Sequence, residues 1–219
     1  MLGKVLTLSA LALASASAPA YAAITITEVH PSGSDSTYGA DWFELTNTGP
    51  ADVNVTGWKF DDSSASTVSG VFFRGITTIP AQTRVVFLNG NTAGDTDAAI
   101  RSAFETAWFG TSVPAGLLIA AYGGSGTGLS QAGDAVNIYD ANGALVTSVD
   151  YVNATLGVTF DNTAGASGTI STLSVAGTND AFRSANDLET GSPGTAVPEP
   201  TTLAALGILG LTALRRRTR

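Results

Sequence analysis

Short segments in which apolar and polar residues alternate make up most of this sequence. In the run 24–29, Ile24 and Ile26 fall on one face, and Trp42–Asn47 forms a second run that Gly49 and Pro50 end. Alternation of this kind is typical of β-strands with one buried face. Similar runs, separated by Gly, Asn, Asp and Pro, cover residues 53–55, 58–60, 71–73, 76–79, 84–88 and 117–122.

One segment departs from the strand pattern. Asp95 or Thr96 can cap a helix in which Ile100, Phe104 and Trp108 recur every four residues. This spacing predicts a single amphipathic helix of about three turns whose apolar stripe is buried in the core.

The clearest local signal is a hairpin. Runs 135–139 and 144–151 flank the stretch 140–143, in which Asn142 and Gly143 both tolerate a positive φ. Residues 153–192 are rich in small polar residues, so they are either edge strands or a semi-ordered wrap, and the sequence does not decide between the two.

Seven to nine short strands with one helical insertion predict an all-β protein in which two antiparallel sheets pack face to face. The predicted core residues are Trp42 or Phe43, Trp58, Phe60, Val86, Leu88, Val136, Ile138 and Val149.

The first 22 residues have the three parts of a secretory signal peptide. Lys4 supplies the positive charge, residues 5–18 are apolar, and Ala20 and Ala22 are the small residues expected at the cleavage site. We therefore predict that residues 1–22 are removed and that the folded domain spans residues 23–196.

Residues 197–219 form a second, differently built segment. Two prolines keep the Pro198-Glu199-Pro200 stretch extended and accessible, and the apolar run 203–214 that follows is short for a membrane span of about 17–25 residues. Arginines after the run favour a cytoplasmic end by the positive-inside rule. We expect a transient membrane insertion of this tail, with a permanent anchor as the alternative. The predicted sorting residues are Pro198, Glu199, Pro200, Arg215, Arg216 and Arg217.

The predicted domain is strongly acidic. It contains five basic and 17 acidic residues, which gives a formal charge of −12, whereas the whole chain has −8. Such a surface repels phosphate backbones, so no nucleic-acid partner is expected. The chain has no cysteine, which excludes disulfides, thiol catalysis and thiolate metal sites.

Two stretches resemble known families. The first resembles the lamin-tail domain over about residues 24–194, which implies an immunoglobulin-like β-sandwich. The residues that carry this likeness are Glu28 and Val29, the stretch 41–47, Gly57 and Trp58, Asp61, Gly133 and Asp134, Val149, Asp150 and Tyr151, and a closing Ser192, Pro193 and Gly194. The tail resembles the PEP-CTERM sorting signal, which implies recognition and cleavage by an exosortase-type enzyme in Gram-negative bacteria that make extracellular polysaccharide.

No catalytic constellation is predicted. His30 is the one histidine of the chain, and we expect it to face solvent in a loop, since no Gly-x-Ser-x-Gly elbow surrounds any serine. Glu44 lies between Phe43 and Leu45, and we expect it to bond loop amides or an arginine because a charge near the core needs partners. The prediction is therefore a protein that is not an enzyme.

No cofactor is predicted, although calcium is a possibility. Asp61 and Asp62, or the loop with Asp35 and Asp41, could supply oxygen ligands, but Asp-rich turns are usually only turns.

The predicted function is that of an exported cell-surface or extracellular-matrix protein, associated with biofilm, that contacts polysaccharide or other surface proteins. The alternative is a specific carbohydrate- or protein-binding module that uses exposed aromatic residues. For this module, stabilisation by calcium is left open. The aromatic candidates are Tyr38, Tyr122, Tyr139 and Trp108.

Overall fold

The computed structural model describes residues 24–31, 38, 41–90, 96–123 and 128–195. Within them lie fourteen short strands and one helix. In chain order these are β1 Ile24–His30, β2 Trp42–Asn47, β3 Val53–Asn54, β4 Lys59–Asp61, β5 Val71–Phe72, β6 Thr78–Ile79, β7 Thr83–Asn89, α1 Asp97–Phe109, β8 Ile119–Tyr122, β9 Asp134–Tyr139, β10 Leu145–Tyr151, β11 Phe160–Asp161, β12 Gly168–Ile170, β13 Phe182–Arg183 and β14 Thr190–Gly191.

Two five-stranded sheets form the body, which confirms the predicted β-sandwich. The first has the order β11-β1-β2-β7-β8 and the second has the order β12-β10-β9-β4-β5. The pairing is antiparallel except for β7 with β8 and β10 with β12, which are parallel. A parallel pair needs a long crossover, and α1 supplies it between β7 and β8.

The main core lies between the two sheets. Phe43 and Leu45 of β2 point into it, and the ring of Phe43 stacks on Phe60 and on Phe87, each at 5.3 Å between centroids. All predicted core residues are buried. Trp42, Val86 and Leu88, however, point to the other side of the first sheet, because side chains alternate along a strand.

The helix packs on that outer side of the first sheet. The side chain of Thr96 accepts a hydrogen bond from the Ala99 N–H and caps the helix, as one of the two predicted caps. Ile100, Phe104 and Trp108 are buried in one cluster with Trp42, Val86, Leu88 and Ile119. The helical stripe is therefore core, as predicted.

The predicted hairpin of β9 and β10 is present, and one of its two candidate turn residues adopts a positive φ. Gly143 has a φ of 82°, whereas Asn142 keeps a negative φ. Asp140 N–H donates to Ala144 O and Gly143 N–H donates to Asp140 O, which is a three-residue loop ending in a left-handed residue. The Asp140 side chain accepts hydrogen bonds from the N–H groups of Asn142 and Ala144 and thereby fixes this loop.

Residues 153–192 include edge strands, which was one of the two alternatives that the sequence left open. They contain four short strands, of which β11 and β12 are outer strands of the two sheets. The residues on either side of β14, Glu189 and Ser192, lie against β1 of the first sheet and are fully or almost fully buried.

Candidate functional site

The outer side of the first sheet carries a buried pair of carboxyl groups. Glu28 of β1 lies directly opposite Glu44 of β2, and both are fully buried. A bulge at Thr27 interrupts the register between Ile26 and Glu28 and turns Glu28 to the outer side. Side chains directly opposite each other in a sheet have Cβ atoms about 4.5–5.5 Å apart, so the two carboxyl groups are neighbours.

Glu44 binds the last turn of the domain. Its Oε2 accepts a hydrogen bond from Gly194 N at 2.7 Å. Its Oε1 accepts from Thr27 Oγ1 at 2.7 Å and from Arg84 Nη1 at 3.1 Å. The structure thus confirms that Glu44 bonds a loop amide and an arginine.

Glu28 binds the same turn two residues earlier. Its Oε1 accepts from Ser192 N at 2.7 Å and from Thr159 Oγ1 at 2.6 Å, while Oε2 lies 3.1 Å from Ser192 Oγ. Burial and the neighbouring Glu44 together raise the pKa of Glu28 to about 8. Burial also raises the pKa of Glu44, but Arg84 and the Gly194 N–H act against it, so protonation is favoured at Glu28 over Glu44.

We call the set Glu28, Glu44, Arg84, Ser192 and Gly194 the carboxyl clasp. Arg84 extends it by one residue, since its Nη1 lies 3.2 Å from Thr195 Oγ1. Gly194 has a φ of 68°, and a Cβ there would lie 2.1 Å from Leu117 Cδ1, so the turn requires glycine. The clasp fixes the chain to the sheet up to Thr195.

The clasp binds the protein's own backbone. Its carboxyl oxygens are buried and hydrogen-bonded to Thr27, Thr159, Ser192 and Gly194 of the same chain. A catalytic acid and base must reach a substrate, and no surface of Glu28 or Glu44 is open to one. The arrangement therefore positions the end of the domain.

His30 was predicted to face solvent, and that prediction is wrong. It is fully buried at the end of β1, stacked on Trp42 at 5.4 Å between ring centroids. Its Nε2 lies 3.4 Å from Glu189 Oε1. Burial lowers the pKa of His30 to about 4, so it is neutral at pH 7 and belongs to the aromatic cluster beneath α1.

The four aromatic residues proposed for surface binding are also buried. Trp108 Nε1 donates to the Tyr38 hydroxyl, which in turn donates to Glu189. Tyr122 lies against Phe60 at 4.4 Å in the main core, and Tyr139 is 7% exposed on β9. These aromatic side chains stabilise the fold, and none of them offers a binding surface.

The acidic turns are occupied by the protein's own donors. Asp61 is fully buried and accepts hydrogen bonds from Ser64 Oγ, Ser66 N and Ser69 Oγ at 2.6–3.1 Å. Asp41 accepts from Leu129 N, whereas Asp35 lies outside the described residues. In the described parts of the chain, no three His, Cys, Asp or Glu side chains group together as metal ligands would.

The processing residues lie outside the described ranges. These are Ala20 and Ala22 of the predicted signal peptide and the sorting residues Pro198, Glu199, Pro200, Arg215, Arg216 and Arg217. Among the residues that are described, helix length and hydropathy fall short of what a membrane span requires.

Sequence reasoning did not find the partners of Glu44. Glu28 and Arg84, like Glu44, are charged residues within predicted strands, and these charges were the signal available in the sequence. Their meeting depends on the bulge at Thr27 and on the pairing of β2 with β7, which places Arg84 opposite Thr46.

Comparison with protein families gives two matches. The Lamin Tail Domain matches residues 17–153, which include β1 to β10. The match ends before Ser192, Pro193 and Gly194, so these closing residues are placed by the contacts of the clasp alone. The PEP-CTERM protein-sorting motif matches residues 196–217. No curated protein and no solved structure matches the chain.

Proposed function

We propose, from the premise that this chain belongs to the lamin tail domain family, that it is a structural or interaction protein of the cell surface or extracellular matrix. The PEP-CTERM motif implies export to the surface of a Gram-negative bacterium and recognition by an exosortase-type enzyme. The lamin tail domain is a non-catalytic type of domain. A contribution to biofilm, through weak contacts with polysaccharide or surface proteins, is the finer part of the proposal.

One observation supports this proposal above the others. The carboxyl clasp holds the chain to the sheet as far as Thr195, and the matched sorting motif begins at residue 196. The folded body therefore passes into the motif with no spacer. A rigid acidic domain is delivered as a unit, and removal of the tail leaves its fold intact because every clasp residue precedes residue 196.

The test is mass spectrometry of the protein from the medium and the outer membrane of the bacterium that makes it. We expect a new amino terminus near residue 23 and loss of the apolar run 203–214. Replacing Pro198, Glu199 and Pro200 by alanine should retain the precursor. Thr201→Ala with Thr202→Ala is the matched control and should be processed normally. An untrimmed chain working in the cytosol would contradict the proposal.

A second candidate, a binding module, is favoured by an apolar row on the outer side of the second sheet. Leu145, Lys59 and Phe72 lie in one row across β10, β4 and β5, with the buried Tyr139 of β9 between Leu145 and Lys59. Phe72 and Leu145 are each 56% exposed, and Lys59 Nζ lies 4.8 Å above the Phe72 ring. An exposed ring beside a cation suits a sugar face or an apolar side chain of a partner.

A glycan array with the purified domain separates the two candidates. Binding of one defined oligosaccharide that Phe72→Ala abolishes would favour the binding module. Val175→Ala is the control, since Val175 is similarly exposed but lies outside the row. Melting with calcium and with a chelator addresses the remaining cofactor prediction, because a ligand that binds only the folded state raises the midpoint.

A further inference from the structure

A short motif on the surface of the domain takes part in neither the carboxyl clasp nor the sorting tail. Asn54 and Thr56 are separated by one valine, which is the acceptor pattern for N-linked glycosylation of exported proteins. Asn153 and Thr155, separated by an alanine, form a second triplet of the same kind. All four side chains are exposed, so exposure alone does not distinguish the two triplets.

The fold presents the first triplet with its polar side chains outward. Asn54 lies on β3, and exposure alternates along this stretch of chain: Val55 is buried, whereas Asp52, Asn54 and Thr56 are exposed. Exposed side chains at every second residue are typical of an extended segment with one face against the domain. The three polar side chains therefore share the solvent side, where one enzyme can contact them together.

The amide of Asn54 has separate atoms for the fold and for the chemistry. Its Oδ1 accepts a hydrogen bond from Thr56 N at 2.8 Å, which fixes the side chain beside the following turn. The atom that takes a sugar in N-linked glycosylation is the other one, Nδ2. Attachment of a glycan therefore does not break this hydrogen bond, and the folded domain can carry it.

Asp52 distinguishes the first triplet from the second. It places an exposed carboxylate two residues before Asn54, whereas the residue two before Asn153 is Tyr151, which is 2% exposed. Asp52 Oδ1 accepts a hydrogen bond from Ala81 N at 2.9 Å, which holds the carboxylate in place. Hydrogen bonds to an ionised group are stronger than those between neutral groups, so Asp52 gives an enzyme a contact that the second triplet lacks.

We infer that Asn54 is a site of N-linked glycosylation, and that Asp52 and Thr56 are the contacts by which a transferase selects it. The co-substrate is an oligosaccharide whose anomeric carbon is activated by a pyrophosphate. A bond forms between Asn54 Nδ2 and that carbon as the bond from the carbon to the pyrophosphate oxygen breaks. The pyrophosphate leaves with the bonding electrons, and the amide loses one proton. The inference rests on the export that we propose above.

A glycan at this position would cover an open strand edge. β3 pairs with β6 in a two-stranded sheet, so among the described strands its other edge has no partner. Open edges can pair with the edge of a second copy, and natural proteins block them with bulky or charged groups. A hydrophilic glycan on Asn54 would block such pairing between copies of this chain.

Tryptic digestion separates the two triplets for measurement. Trypsin cuts after lysine and arginine, so Asn54 lies in the peptide that ends at Lys59, and Asn153 lies in the peptide 102–183. Both peptides are analysed by mass spectrometry in protein taken from the medium and the outer membrane of the bacterium that makes it. We expect glycan mass on Asn54, located by fragmentation. The ratio of modified to unmodified peptide should be about tenfold higher than for Asn153, the value of one charged contact.

Substitutions test each part of the motif. Asn54→Gln and Thr56→Ala should each abolish the glycan mass, and Thr56→Ser should retain it. Asp52→Asn keeps an oxygen that can accept from the Ala81 N–H but removes the charge, so the ratio at Asn54 should fall about tenfold. Asn153→Gln is the matched control and should leave the Asn54 peptide unchanged.

The same spectra separate this inference from the proposed export. Unmodified Asn54 in a chain with a new amino terminus near residue 23 would overturn the glycosylation and leave the export intact. An untrimmed and unmodified chain would overturn both. Equal ratios at Asn54 and Asn153 would overturn the selection by Asp52.

Discussion

The outer side of the first sheet has two halves that are covered in different ways. Under α1 it presents Trp42, Val86 and Leu88, and the helix is held by buried apolar side chains. Beneath the end of the domain the same strands present Glu28, Glu44 and Arg84, and the covering segment is held by hydrogen bonds to its backbone. Apolar burial is tolerant of small shifts, whereas the clasp specifies which residue is held and where.

Removing the Glu44 carboxylate should have the largest effect. Glu44→Ala leaves Arg84 buried without its partner and the Gly194 N–H without an acceptor, which should lower the free energy of unfolding by about 3–5 kcal/mol. Urea denaturation at pH 7 measures this. Glu105→Ala breaks an exposed pair with Arg101 on α1 and should change stability by less than about 0.5 kcal/mol. Equal effects of the two substitutions would mean that the clasp does not hold the domain end.

A substitution in the apolar half should lower the free energy of unfolding almost as much, but without a dependence on pH. Phe104→Ala opens a cavity under α1 and should cost about 3–4 kcal/mol. Because no titrating group is removed, the loss should be the same at pH 5 and pH 9. Limited proteolysis should then show α1 cut first and the 192–195 turn protected. Early cleavage at the turn would show that the two halves are not independent.

Raising the pH should lower the stability of the clasp half but not that of the apolar half, by a smaller amount than the two substitutions above. The folded pKa of Glu28 is about 8, above its unfolded value of 4.5, so its contribution to stability is complete below pH 4.5 and is lost as pH rises to about 8. Glu28→Gln resembles the protonated carboxyl and should stabilise the domain by about 1–3 kcal/mol at pH 9 relative to the natural chain. At pH 5 this gain should disappear. A gain that is independent of pH would assign the effect to packing.

The smallest expected effect is at the start of α1. Thr96→Ala removes the helix cap and should cost about 1 kcal/mol. Thr106→Ala on the same helix is the matched control, because Thr106 is exposed and bonds only the carbonyl of Ser102 within the helix. Alanine favours helix interiors, so this control should be neutral or slightly stabilising in thermal melts. Equal losses would mean that Thr96 acts through packing.

Local patterns were sufficient for single elements of this fold. The bounds of β2, the stripe on α1 and the β9–β10 hairpin follow from residues close together in sequence. The position of His30 does not, because its burial requires α1 and Glu189, which is 159 residues later. The loop of that hairpin is also held by a local interaction, since the Asp140 side chain accepts hydrogen bonds from two turn amides.

The carboxyl clasp could be predicted only in part. The need of Glu44 for partners follows from its apolar neighbours. The identity of these partners depends on the bulge at Thr27, on strand pairing and on the carboxy-terminal segment 153–192, which is poor in apolar residues. Low hydrophobicity made residues 153–192 look peripheral, yet their hydroxyl and amide groups are what the buried carboxyl groups need.

The clasp also has a consequence for the order in which contacts form during folding. β1 lies at the amino end of the described domain. Glu28 of this strand accepts a hydrogen bond from Ser192, which lies 164 positions later in the sequence. Contacts between such distant residues form slowly and late. The first sheet therefore gains these buried hydrogen bonds only when the segment around Ser192 has folded onto β1.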